Sequence, residues 1–277
     1  MKKVVLLLTL MIGAALPACE DPNGHHEMAM PAKASHMRHP EQAIKVGISS
    51  DKPLVAGETS HMTVRLSYAK DGASITPDDL DIVHTKKLHL LIIDPSLSDY
   101  QHIHPDAGNI PGEYTFDFTP LKNARYRVWA NFIPTRTGKE VYESADIGTP
   151  AKDKTVIDKT VSTHTVVDGY DFTLTLDEPL KAGEADMASM TITKDGKPFA
   201  QLQPVLGAFA HMVGFSKNFK SVMHVHPLGE EPKTDNMRGG PKLEFHIEPE
   251  FKGFYKIFAQ VRIDDKIIFV PFGVKVQ

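Results

Sequence analysis

The chain of 277 residues predicts an all-β fold: two immunoglobulin-like or cupredoxin-like β-sandwich domains in tandem. Three observations carry this. Apolar and polar residues alternate in short runs, and no apolar pattern of period 3.6 is sustained. The 20 prolines and 19 glycines are spread along the chain, as short strands joined by turns require. The second half also repeats the first. LVAGE at 54–58 matches LKAGE at 180–184, KDG at 70–72 matches KDG at 194–196, and YRVWA at 126–130 matches YKIFA at 255–259. The offset drifts only between 122 and 129 residues, as loops of unequal length between equivalent strands would make it. Each copy is then about 110–120 residues, an ordinary domain size.

The elements follow in order. Lys2 and Lys3 precede a short apolar run that ends at Leu16-Pro17-Ala18-Cys19. The run is too short and wrongly flanked for a lasting transmembrane helix, so residues 1–18 read as an export signal. The four residues 16–19 resemble the bacterial lipobox, which implies cleavage before Cys19 and its lipidation. That places the protein in the cell envelope, lipid-anchored to the membrane, on the periplasmic face in a Gram-negative cell. Cys19 is the single cysteine, so neither a disulfide framework nor thiolate chemistry is expected of the folded part. The net charge of −4 becomes −6 once Lys2 and Lys3 are removed, and no basic stripe is left for nucleic acid. Residues 19–41 form a polar, flexible tether that carries His25, His26, Met28, Met30, His36, Met37 and His39, residue types that bind soft or borderline metals.

The first sandwich, residues 42–150, is expected to hold strands at 43–49, Ser60–Tyr68, 88–94, 114–119 and Tyr126–Phe132. Residues 134–160 read as a loop and connection, with 151–165 the linker proper. The second sandwich, 166–277, should repeat that order, with an insertion at 228–241.

One constellation is repeated at constant spacing. His102-Ile103-His104-Pro105 follows His89, and His224-Val225-His226-Pro227 follows His211, with thirteen residues from the first histidine to the second in both copies. Alternate strand residues share a face, about 6.5–7 Å apart, so each His-x-His pair can converge on one ion. Proline after the pair ends the ladder and places it near a strand end. The expected sites are His89, His102 and His104 in the first copy, and His211, His224 and His226 in the second. His89 shares its strand face with Leu91 and Ile93, and His211 with Val213 and Phe215, so packed structural histidines are the competing reading. His84, Met212, Met223 and His246 are secondary candidates. Imidazole suits several metals and thioether favours Cu(I), so the surrounding methionines point to copper, with zinc the alternative.

These residues also carry a family resemblance. The segment HTKKLHLLIIDPSLSDYQHIHP and its counterpart LGAFAHMVGFSKNFKSVMHVHP resemble YtkA-like and copper-resistance-associated β-sandwich domains of exported bacterial proteins. The resemblance implies periplasmic metal handling beside a metal-efflux or chaperone partner. No phosphate loop, nucleophile elbow or zinc-protease helix motif is present, so a non-enzymatic role is expected: copper sequestration or transfer, or else a structural module in an envelope complex.

Overall fold

The computed structural model describes residues 43–151 and 155–277. The export signal, Cys19 and the histidines and methionines of the tether lie outside the described residues.

Alternation builds the first domain. In β2 (Ser60–Tyr68) every second side chain is buried, and Met62, Val64 and Leu66 enter the core. This strand pairs with β1 (Ile44–Ser50) and β6 (Glu113–Phe118), and the two-residue β5 (Asp106–Ala107) completes a four-stranded sheet in the order β1-β2-β6-β5. A second sheet, β4-β3-β7-β8, consists of β3 (His89–Ile93), β4 (Tyr100–Ile103), β7 (Tyr126–Phe132) and β8 (Val141–Ile147). Leu90, Ile92, Val128 and Ala130 from the second sheet meet Val64, Leu66, Tyr114 and Phe116 from the first to make the core.

The second domain repeats these pairings. It contains β9 (His164–Val167), β10 (Tyr170–Leu176), β11 (Asp186–Lys194), β12 (Lys197–Pro198), β13 (His211–Ser216), β14 (Val222–Pro227), β15 (Lys242–Ile247), β16 (Gly253–Ile263) and β17 (Lys266–Val276). In the first domain the chain leaves one sheet after Ile103 and joins the other at Asp106. In the second, β14 runs on through Pro227 and pairs with both β13 and β15. The two layers are thereby stitched into one path, β17-β16-β13-β14-β15-β11-β10-β9, with β12 paired to β11.

Two elements differ from the sequence expectation. Residues 141–147 form β8, a strand paired along its whole length with β7, within the stretch expected to be loop. Most of its residues stay partly exposed, and Glu143 and Asp146 give it no apolar run. In addition, β9 begins at His164, inside the expected linker, and turns back through Asp168-Gly169 into β10. Both turn residues have positive φ, 51° and 77°, the conformation that Asp-Gly adopts in a tight hairpin.

The faces of β3 decide how the domains meet. Leu90 and Ile92 point into the first core, while His89, Leu91 and Ile93 take the opposite face. In β13, Met212 points into the second core, while Val213 and Phe215 take the opposite face with His211. These two outer faces pack on each other. Leu91, Ile93, Tyr100 and Trp129 join Val213, Phe215, Phe254 and Phe258 in one buried apolar cluster. Tyr100 lies 5.3 Å from Phe215 and 5.0 Å from both Phe258 and Phe269, ring centroid to centroid. The histidines therefore stand at the edge of an inter-domain face.

A candidate metal centre at the domain interface

His89 opens β3, and its position is fixed from both sides. Its backbone pairs with Asn131, and its ring reaches back to the turn that precedes the strand. That turn is closed by Val83 and Lys86 around His84 and Thr85, whose φ values of 46° and 69° are left-handed. The Nε2–H of His89 donates to the Val83 carbonyl at 2.9 Å. With that nitrogen protonated, Nδ1 carries the lone pair.

His102 comes from β4, opposite Leu91, and is oriented by the other domain. Its Nδ1–H donates to Oε1 of Gln260 at 2.7 Å, which leaves Nε2 with the lone pair. His104 follows just past the end of β4. The three reactive nitrogens converge: His89 Nδ1 lies 3.1 Å from His102 Nε2 and 3.1 Å from His104 Nε2. All three ligand atoms lie within 4.8 Å of one another. Bonds of about 2.0–2.1 Å at tetrahedral angles put nitrogens roughly 3.4 Å apart, so closing on one ion takes only small ring movements.

As neutral rings, His89 and His102 turn the lone pairs of Nδ1 and Nε2 toward each other, because the Nε2–H of one donates to Val83 and the Nδ1–H of the other to Gln260. A positive charge between the two nitrogens, a shared proton or a metal ion, relieves the repulsion of those lone pairs. Burial pushes the pKa of His104 down to about 3, helped by neighbouring His89, Lys86 and His211, so at neutral pH the His104 ring is neutral. The donor set fits a borderline metal: three imidazoles, two with their second nitrogen anchored, as metal-binding histidines have.

The second copy keeps the backbone plan. Val213 pairs with His224 as Leu91 pairs with His102, and the turn closed by Val205 and Ala208 is the counterpart of 83–86. His211 Nε2 donates to the carbonyls of Val205 at 3.0 Å and Leu206 at 3.1 Å, the same tie that His89 makes. The side chain of His224 lies outside the described set, so convergence is described for the first trio only. His226 lies on β14 opposite His246 of β15, and His246 lies opposite Met187 of β11.

The secondary candidates separate. His84 stands between the copies, its ring 4.8 Å from His211 and 6.5 Å from His89. Met212 and Met223 belong to the apolar core of the second domain, with 3% and 2% exposure. The physical reason is alternation: each is one residue out of phase with a histidine and takes the opposite strand face. His246 is half-buried on the face opposite that core, with its Nε2 buried and lacking a hydrogen-bond partner among the described residues.

Sequence reasoning missed Gln260. Its counterpart is Asn131: His211 pairs with Gln260 as His89 pairs with Asn131. A carboxamide directly after both YRVWA and YKIFA was the available signal.

The fold and the cluster together define a tandem β-domain protein with a partly buried group of histidines. Residues 40–145 and 164–277 each match a domain of unknown function, DUF8832, and the chain belongs to that family with two copies. The family found is this one, and the resemblance to YtkA-like domains rests on the two histidine segments alone. No curated protein matches the chain. Among solved structures, the D00-D0 domain of intimin is 12% identical, with 83% of this chain and 99% of that one covered and a TM-score of 0.23. Domains 4 and 5 of the S-layer protein SbsC are 10% identical, covering 84% and 97%, with a TM-score of 0.23. A conserved domain protein from Bacillus anthracis is 7% identical, covering 84% and 87%, with a TM-score of 0.27.

Proposed function

We propose that the protein is a lipid-anchored, non-enzymatic metal-binding protein of the cell envelope that sequesters or transfers copper. Zinc is the alternative ion. The observation that carries this reading is the convergence of His89 Nδ1, His102 Nε2 and His104 Nε2, with two of the three rings already held in the ligating tautomer. His211, His224 and His226 form the second site of the reading, on the strength of the repeated register. The copper preference draws on the methionine- and histidine-rich tether and on the resemblance of both histidine segments to copper-resistance-associated domains. Cys19 is the lipid attachment site, and a metal-efflux or chaperone protein is the partner to which the ion would pass.

Metal analysis of residues 20–277 tests the proposal. The wild-type chain should retain Cu or Zn after desalting. A variant with His89, His102 and His104 replaced by alanine should lose at least one equivalent. Equal retention by the two proteins would remove the first site from the proposal.

A structural role is the second reading, favoured by the apolar inter-domain face beside which His89 and His211 are packed. Under it, His89→Ala lowers the melting temperature by the same amount with and without metal. Under the metal reading, added metal raises the melting temperature of wild type alone.

A further inference from the structure

Gln260 belongs to the second domain, yet it sets the tautomer of a histidine in the first. His102 Nδ1 and Gln260 Oε1 are 2.7 Å apart across 158 residues of sequence. Gln260 is itself buried, at 6% exposure, and lies on β16 directly opposite His211. Between the domains lies a small cavity of about 30 Å³, lined among others by His84, His89, His102, His211 and Gln260. The apolar cluster of Tyr100, Trp129, Phe215 and Phe258 continues from it. A second polar tie crosses the same interface where Arg127 Nη1 donates to the Phe219 carbonyl at 3.0 Å.

We propose that the metal centre is a two-domain centre, in which Gln260 is a positioning residue and ion occupancy is thermodynamically linked to the docking of the two domains. The proposal rests on the metal-binding reading of the His89, His102 and His104 trio. Undocked, the first domain still carries three imidazoles, but the His102 ring loses the acceptor that holds its proton on Nδ1 and its Nε2 toward the trio. Outer hydrogen-bond partners of metal-bound histidines contribute about 10–100-fold to affinity. Because binding linkage is reciprocal, the bound ion favours the docked arrangement by the same factor that docking favours the ion. A partner that separates the two sheet faces would lower the affinity of the centre and release its cargo. The ion thus acts as a clasp between domains, and the interface as the handle by which it is opened.

The test uses residues 20–277 as wild type, Gln260→Met and Gln260→Glu, with Cu(I) and Zn(II) affinities measured by chelator competition. Circular dichroism establishes that each variant is folded. Gln260→Met, which keeps the shape but removes the acceptor, should weaken binding about 10–100-fold. Gln260→Glu, which restores an acceptor oxygen, should recover most of the affinity. Nitrogen-15 spectra of the imidazoles should show His102 protonated at Nδ1 in wild type and lose that signature in Gln260→Met. A second measurement needs no variant. Trp129 is the single tryptophan and lies in the interface, so its emission reports domain separation in mild urea. Metal should move that transition to higher urea. If wild type binds metal while Gln260→Met binds within twofold of it, or if metal leaves the Trp129 transition unmoved, the linkage is wrong and the trio stands alone. If wild type binds neither ion, the metal reading itself fails and takes the linkage with it.

Discussion

Asp94 anchors the turn that carries the chain from His89 back to His102. Its carboxylate accepts the backbone N–H groups of Ser96, Ser98 and Asp99 at 2.8–3.0 Å, and Lys122 adds an ion pair at 3.2 Å. Burial alone would raise its pKa, but these donors together with the Ser96 hydroxyl outweigh it and hold the group below the usual carboxylate value. A depressed pKa stabilises the fold fully above the unfolded value and ceases to as pH falls through the folded one. Wild type should therefore lose stability relative to Asp94→Asn below about pH 4, where the unfolded carboxyl begins to take up protons. At pH 7, Asp94→Asn should be the less stable protein by roughly 2–3 kcal/mol, read from urea unfolding. The second domain makes the same turn with neutral groups. Ser216 and Ser221 stand where Asp94 and Asp99 stand, and Tyr255 ties to Ser221 at 2.9 Å as Tyr126 ties to Asp99. Its stability should show no matching loss in acid. The histidine spacing was legible in the sequence because it is local and repeated. The partnership of His102 with Gln260 was not, since nothing in either segment says that two outer faces will meet.

The turn from Val83 to Lys86 is the element on which the first trio depends, since its carbonyl holds the His89 ring. Left-handed backbone costs a residue with a Cβ about 1–2 kcal/mol, and the equivalent turn of the second copy places Gly207 at the second such position. Thr85→Gly should therefore stabilise the chain by about 0.5–1 kcal/mol in thermal unfolding. A fall in melting temperature would mean that the packing of the Thr85 methyl beside Gly207 outweighs the backbone strain. Strands with clean alternation, such as β2 and β7, could be read from sequence almost residue for residue. Strand β8 could not, because an edge strand keeps one side in water and its Glu143 and Asp146 obscure the period. The hairpin of β9 was readable in principle from Asp168-Gly169, a turn pair flanked by valines and aromatic residues.

The two domains cover each other's outer sheets, and this sets what each can do alone. Freed of its partner, the second domain would expose Val213, Phe215, Phe254 and Phe258 together, an apolar patch of the kind that drives association. Residues 160–277 expressed alone should self-associate, and light scattering should show dimers that disperse when Phe215 and Phe258 are both replaced by serine. A monomer at all concentrations would show that the inter-domain face contributes little burial. One contact within that interface has a wider meaning. Thr85 and Gly207 are equivalent residues of the two copies, and they meet: a Cβ placed on Gly207 would lie 3.5 Å from Thr85 Cγ2. In an isologous dimer, residues at the two-fold axis touch their own counterparts, and the two copies of this chain share that feature here. The chain carries two copies of one domain joined in sequence. In such a pair made of identical subunits, every substitution appears twice and every site must serve both sides. Joined in one polypeptide, the halves are free to differ, and they do so around this contact: His84 corresponds to Leu206, and Asn131 to Gln260. Fusion lets the two histidine groups be supported by different residues, a freedom closed to a homodimer.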